Sequence, residues 1–392
     1  MAQLKPFLLF KLALGLMVLC LPVLNHASSE EETPLSPAFK KLIHPIDGDD
    51  RHWSWNPIDL LPSKEALRSS PFNEMIPFIT PIRNQGERGT CSIFSSIAWW
   101  EVKLAQAGSP VEELDLSEEW LAHLVARQTL EDGSETTLNF QLINDHGLAQ
   151  ESTLRYIPQD WQEKTYHQKA RVIRRCGHLR GILKKACLIG HWDPALLSLD
   201  EISLRAEGIQ LARARADAIE WKTQHRVTSG KPEILTRVRD IKKLLSEGVP
   251  LVLDLDFFYG AWNHFAAEDL NIGRDHEAFL RGEVGYPRLG SIDEKRSLKN
   301  PIGHSVLVVG YDDDEIIETT VRHADGSEEV FRYRGVYYFK NSWGKSSFGK
   351  NFEAQGIRAP GFGKITQKYA HERGQFFRSR LRNDHPQVLP IR

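Results

Sequence analysis

The sequence predicts a two-lobed α+β fold, helices first and an antiparallel sheet after them, from three observations. Between about 91 and 146 apolar residues recur at helical spacing. From about 160 to 235 the chain is rich in Arg, Lys, Ala and Leu, again at helical spacing. Beyond about 250 it turns to short β-branched and aromatic runs broken by turn residues. With 392 residues and 41% hydrophobic content it can bury a substantial core, and 50 basic against 52 acidic residues leave a net charge of -2. That balance gives no electrostatic reason for a nucleic-acid or membrane-surface partner, so any basic patch must be local.

Taken in order, the N-terminal stretch reads as a secretory signal over 1–28: Lys5 and Lys11 precede an apolar run from Leu12 to Leu24, which ends in Asn25-His26-Ala27-Ser28. The run is shorter than the roughly 20 residues of a spanning helix, and Leu19 before Cys20 does not suit a lipid-attachment site. The expected location is therefore secreted or otherwise extracytoplasmic, with no stable membrane anchor after cleavage. Residues 29–60, dotted with Pro34, Pro37, Pro45 and Pro57, read as a leader or short pro-segment. A helical lobe is expected over 61–235, a sheet lobe over 236–375 and a polar tail over 376–392.

Within the first lobe a helix opens near Cys91, with Phe94, Ile97, Ala98 and Leu104 on one face, and closes at Gly108. A second starts at Leu116-Ser117-Glu118-Glu119 with Ser117 as N-cap, and a third runs from Asn139 to His146 and stops at Gly147. The segment at about 160–235 reads as a helical insertion whose apolar stripe is Ile202, Ala206, Ile209, Ala212, Ala216 and Ile219. Strands are expected at 251–253, 305–309, 316–321, 330–333 and 336–339, with Asp325-Gly326 as a hairpin turn.

The chemistry concentrates in Asn84-Gln85-Gly86-Glu87-Arg88-Gly89-Thr90-Cys91, which places a thiol where a helix begins. Partial positive charge and unpaired N–H groups there favour a thiolate and the oxyanion that follows its attack on a carbonyl. Such a site, with a histidine beside it, can lower a thiol pKa from roughly 8.5 to about 3.5–7.5. Gln85 supplies a second amide donor for an oxyanion hole alongside the Cys91 N–H. Among fifteen histidines, His304 in Gly303-His304-Ser305 begins a buried strand, and Lys340-Asn341-Ser342-Trp343-Gly344 ends another. An Asn341 amide oxygen would fix the His304 ring while Trp343 keeps water off that bond.

Together these motifs, with Phe140-Gln141, Ile241-Lys242 and Gly248-Val249-Pro250, make the sequence similar to the papain family of cysteine peptidases over most of residues 61 to about 350 outside the insertion. The resemblance implies a papain-like fold: a helical lobe carrying Cys91, an antiparallel β-barrel lobe carrying His304 and Asn341, and an active site in the cleft between them. It further implies that peptide lies extended beside Gly133, Ser134 and Gly303, with no cofactor and no metal. The sequence departs from the family at Ser92, where a tryptophan is usual, and at Arg88, where a cysteine normally pairs with one just before the stretch that here reads Glu131-Asp132-Gly133-Ser134. An Arg88–Glu131 ion pair is expected in place of that bridge. Leu124 also occupies a usual cysteine position, and the short stretch between the expected signal and the helical lobe leads to the expectation that the family's long inhibitory propeptide is absent.

Export leaves Cys176 and Cys187 free to pair as a disulfide closing a short loop; a zinc site with His178 and His191 is the alternative. The basic residues around them, Lys169 to Lys185, read as a solvated face or a dock for an acidic partner. The function expected is a peptidase acting on peptides or proteins. The alternatives are an inactive, peptide-binding protein on the same scaffold and an acyl-transferring one.

Overall fold

The computed structural model describes residues 42–46, 69–161, 166–225, 232–323 and 325–379. The expected signal at 1–28, most of the 29–60 leader and the chain after 379 lie outside the described residues. Helices dominate the first part: Cys91–Gln106, Glu118–Thr129 and Thr136–His146, then Tyr166–Cys176, Gly181–Gly190, Glu201–Glu207 and Ile209–Gln224 in the basic segment. Two of these ends have a clear local cause. Ser117 accepts from the Trp120 amide at 3.0 Å as N-cap. Gly147, at φ +81°, closes Thr136–His146, and a Cβ there would meet the Ala218 carbonyl at 2.0 Å. Among the described residues no helix is long and apolar enough to cross a membrane.

The strands are β1 Leu42–Ile46, β2 Glu233–Leu235, β3 Leu251–Asp256, β4 Glu283–Val284, β5 Gly303–Arg322, β6 Glu328–Lys340, β7 Glu353–Ala354, β8 Ile357–Arg358, β9 Phe362–Thr366 and β10 Gly374–Arg378. The main sheet runs β2-β10-β3-β5-β6-β9-β4, mostly antiparallel, with β1 added parallel to β6. No ladder joins β2 to β4 among the described residues. The four runs expected at 305–309, 316–321, 330–333 and 336–339 merge into two long strands, because irregularities at Val308/Gly310 and Asp312/Ile316 bend the ladder without ending it. Their turn is the expected one: Gly326 stands at φ +83° and Asp325 accepts from the Ser327 amide.

Period-two alternation divides the core across this sheet. Val252, Leu307, Val309, Val336 and Tyr338 face the helices, whereas Leu251, Leu253, Val306, Val308, Tyr337 and Phe339 face a second cluster with Trp262 and Tyr369. This parity aims Ser305 at the helix Cys91–Gln106, where its hydroxyl meets that of Ser95 at 2.6 Å.

Three expectations need correction. Of the stripe Ile202–Ile219 only Ala212 is buried: Gly208 breaks the segment in two, Ile202 is 83% exposed, and Leu204, Leu211, Ala214, Ala218 and Trp221 form the buried face with Ala212. The tail expected from 376 starts later, since Phe376 and Phe377 are buried in β10 between β2 and β3. The sheet also takes strands from before 236, β2 at Glu233–Leu235 and β1 within the expected 29–60 leader.

Candidate active site

Cys91 opens its helix after Thr90, which makes no side-chain cap bond because its hydroxyl pairs with the Tyr156 hydroxyl at 2.6 Å. Gly86, at φ +65°, lets the preceding loop turn against Pro158, whose Cβ would lie 2.7 Å from a Cβ at 86. Backbone amides of Ser305, Ser92 and Cys91 itself are directed at the sulfur and favour its anion. They are outweighed. The side chain keeps some exposure yet is crowded by protein on most sides, and that burial, joined by the Asp254 carboxylate, pushes the thiol up to about 12. The expected acidic thiol is therefore not what this arrangement holds: desolvation wins over the helix terminus.

His304 Nε2 lies 3.0 Å from Asn341 Oδ1. With an amide oxygen as acceptor, Nε2 carries the proton, which leaves Nδ1 as the nitrogen able to serve a thiol. Trp343 covers the ring at 4.7 Å, tilted 31°, as expected, and Trp262 and Phe257 stand edge-on at 5.0 and 5.9 Å. Burial among these rings pushes the imidazole down to about 4; the Asn341 bond opposes that and His264 adds to it. Thiol and imidazole are thus both neutral. His304 is tied to Cys91 through its neighbour Ser305, whose amide faces the sulfur.

Gln85 is clamped at the same place. Its amide hydrogen-bonds to the Ser342 carbonyl at 2.8 Å, its Oε1 accepts from the Ser342 hydroxyl at 2.6 Å, and its Nε2 donates to the Arg88 carbonyl at 2.7 Å. The second Nε2 hydrogen is the one available to an oxyanion. Gly133 lies against Gly89, the Ser134 hydroxyl contacts that of Ser92 at 2.9 Å, and Gly303 is exposed at the start of β5. The expected residues Gln85, Cys91, Gly133, Ser134, Gly303, His304, Asn341 and Trp343 thus fall in one region.

Arg88 does not use Glu131. Its guanidinium is buried and bonds Asp132 at 2.7 and 2.9 Å, Glu119 at 3.0 Å, and the carbonyls of Ile157 and Ile189. The partner is one residue further on because Asp132 points inward, where its other oxygen takes the Gly89 amide, while Glu131 is exposed. Glu119 also pairs with His191, so the network reaches the end of the helix Gly181–Gly190. Cys176 and Cys187 are bonded to each other; His178 pairs with Asp193 and His191 with Glu119, so these four residues do not form a metal site. Sequence reasoning gave no role to Asp254, Tyr156, Trp262 or Ser342; the hints were the aromatic run from Phe257 to Trp262 and the place of Ser342 between Asn341 and Trp343.

No family model matches the chain. Cysteine proteinase 1 of Entamoeba histolytica is 39% identical over 89 residues, a stretch that is 21% of this chain and 27% of that protein. Among solved structures, xylellain, a cysteine protease from Xylella fastidiosa, is 14% identical with a TM-score of 0.44, covering 87% of this chain and 96% of its own. The digestive procathepsin L 3 of the Tenebrio molitor larval midgut is 17% identical with a TM-score of 0.42, covering 81% and 71%. The fold is α+β with a cysteine, a histidine and an asparagine gathered where helices meet sheet. The chain is similar to papain-like cysteine proteases.

Proposed function

We propose that this chain is a papain-like cysteine peptidase, exported, that hydrolyses peptide bonds through a Cys91 thioester. The observation that carries the reading is the meeting of a helix-opening thiol with the amide of Ser305 while the adjacent His304 is fixed by Asn341 at 3.0 Å. Peptide bound along Gly133 and Ser134 presents its carbonyl to Cys91. Proton transfer from sulfur to His304 Nδ1 then creates the nucleophile as it attacks. The oxyanion is held by the Cys91 amide and the Gln85 Nε2 hydrogen, His304 protonates the leaving amine, and water, deprotonated by His304, releases the acid product.

Cys91→Ala should abolish peptide hydrolysis and labelling by thiol-directed electrophiles; activity surviving that change would sink the assignment. The neutral thiol and imidazole favour one second reading, peptide binding without turnover. A wild-type protein that binds peptides and is labelled at Cys91 yet cleaves none would establish it.

A further inference from the structure

Asp254 has no place in the reaction just described, yet it joins both walls of the site. It projects from β3 toward the helices, the parity shared with Val252, and is paired in register with Ser305. Its Oδ1 accepts from the Ser305 hydroxyl at 2.6 Å and from the Thr136 hydroxyl at 2.7 Å, and its Oδ2 accepts from the Thr136 amide at 3.2 Å. Thr136 opens the helix Thr136–His146, whose own N-cap, Glu135, makes no side-chain bond. A residue 118 positions away in sequence therefore caps that helix. Ser305 continues the connection to Ser95 on the nucleophile helix at 2.6 Å. Thr136 lies two residues beyond Ser134, so the bonds to Asp254 fall on the side of the site where the proposed peptide would lie.

We infer that Asp254 is a positioning residue that latches the helical wall to the sheet wall beside Cys91, holding the site shut until an extended substrate displaces Thr136. The inference rests on the peptidase reading for its consequence but not for its geometry. While the latch is closed, the carboxylate stands close enough to Cys91 to disfavour the thiolate, and Ser305 is held with its amide on the sulfur. A substrate that contacts only the nucleophile and the oxyanion donors leaves the latch intact. A longer peptide running past Gly133 and Ser134 must part Thr136 from Asp254, and the cost of parting them falls on KM.

The test uses the full chain with Asp254→Asn and, separately, Thr136→Val, which removes one hydroxyl bond and leaves the carboxylate in place. Alkylation of Cys91 by iodoacetamide, mapped to that residue by peptide mass, should be at least threefold faster in Asp254→Asn and faster in Thr136→Val. KM for an extended peptide should fall in both, while KM for a single-residue ester stays within about twofold of wild type, whatever the change in its kcat. Wild-type alkylation rates in both variants, or equal KM changes for ester and long peptide, overturn the latch. If Asp254→Asn melts below the assay temperature, Thr136→Val decides alone. Faster alkylation in a protein that hydrolyses no peptide would retain the latch and discard the peptidase reading.

Discussion

Arg88 shows how much one buried side chain can carry. Its guanidinium has carboxylates and carbonyls for its donors, and burial of Glu119, which alone would raise that acid, is outweighed by His191 and Arg88, so its pKa is lowered. Arg88→Met would leave Asp132 and Glu119 buried without their cation, and urea unfolding at pH 7 should show a loss of about 3–5 kcal/mol. His371 supplies a pH prediction. Burial, aided by the charge of Lys242, pushes its imidazole down to about 3, and its Nε2 meets the Tyr337 hydroxyl at 2.7 Å. With the folded pKa below the unfolded value of about 6.5, the unfolded chain binds the extra proton, so stability falls as pH drops below about 6.5, by about 1.4 kcal/mol per unit. Measured from pH 6.5 to 5, wild type should lose about 2 kcal/mol more than His371→Asn. Neither partnership was legible in the sequence: Arg88 meets Asp132 across 44 residues, and no period or motif marks which of two adjacent acids turns inward.

Among the elements, the helices nearest Cys91 were readable because their signals are local: Ser117 before Glu118-Glu119, Gly147 after His146. What Gly147 packs against was not. Ala218 lies in another helix, and with φ at +81° and its carbonyl 2.0 Å from any added Cβ, Gly147→Ala should cost at least about 2 kcal/mol in thermal or urea unfolding. The basic segment was misread for a related reason. A single 3.6-residue stripe drawn through Gly208 assumes one continuous helix, whereas the two helices it spans bury other positions, Leu204 in the first and Leu211, Ala214, Ala218 and Trp221 in the second. Its disulfide bridges positions 11 apart, a closure worth about 3 kcal/mol in chain entropy. Reduction, or Cys176→Ser with Cys187→Ser, should speed amide exchange in Tyr166–Cys176 first, while Gln85, held through Arg88, keeps its wild-type amide exchange and Cys91 its wild-type alkylation rate.

For the whole molecule, Gln85, Cys91, His304 and Asn341 were legible because motif residues keep their local company even when more than 200 positions separate them. The ionisation state of the pair was not: it depends on how tightly the finished fold closes around sulfur and ring, which no local pattern records. The same limit hid the join between the walls at Asp254. It also hid the strand inside the supposed leader. β1 lies parallel to β6 along Glu329 to Arg332, while β9 occupies the same edge further on, from Val336 to Lys340. Five residues thus complete a flank that would otherwise offer open main-chain donors and acceptors to any passing strand. A cut that sheds them, whatever it does for catalysis, would trade a sealed margin for an adhesive one, so trimming and self-association are bound to each other by the geometry of a single ribbon.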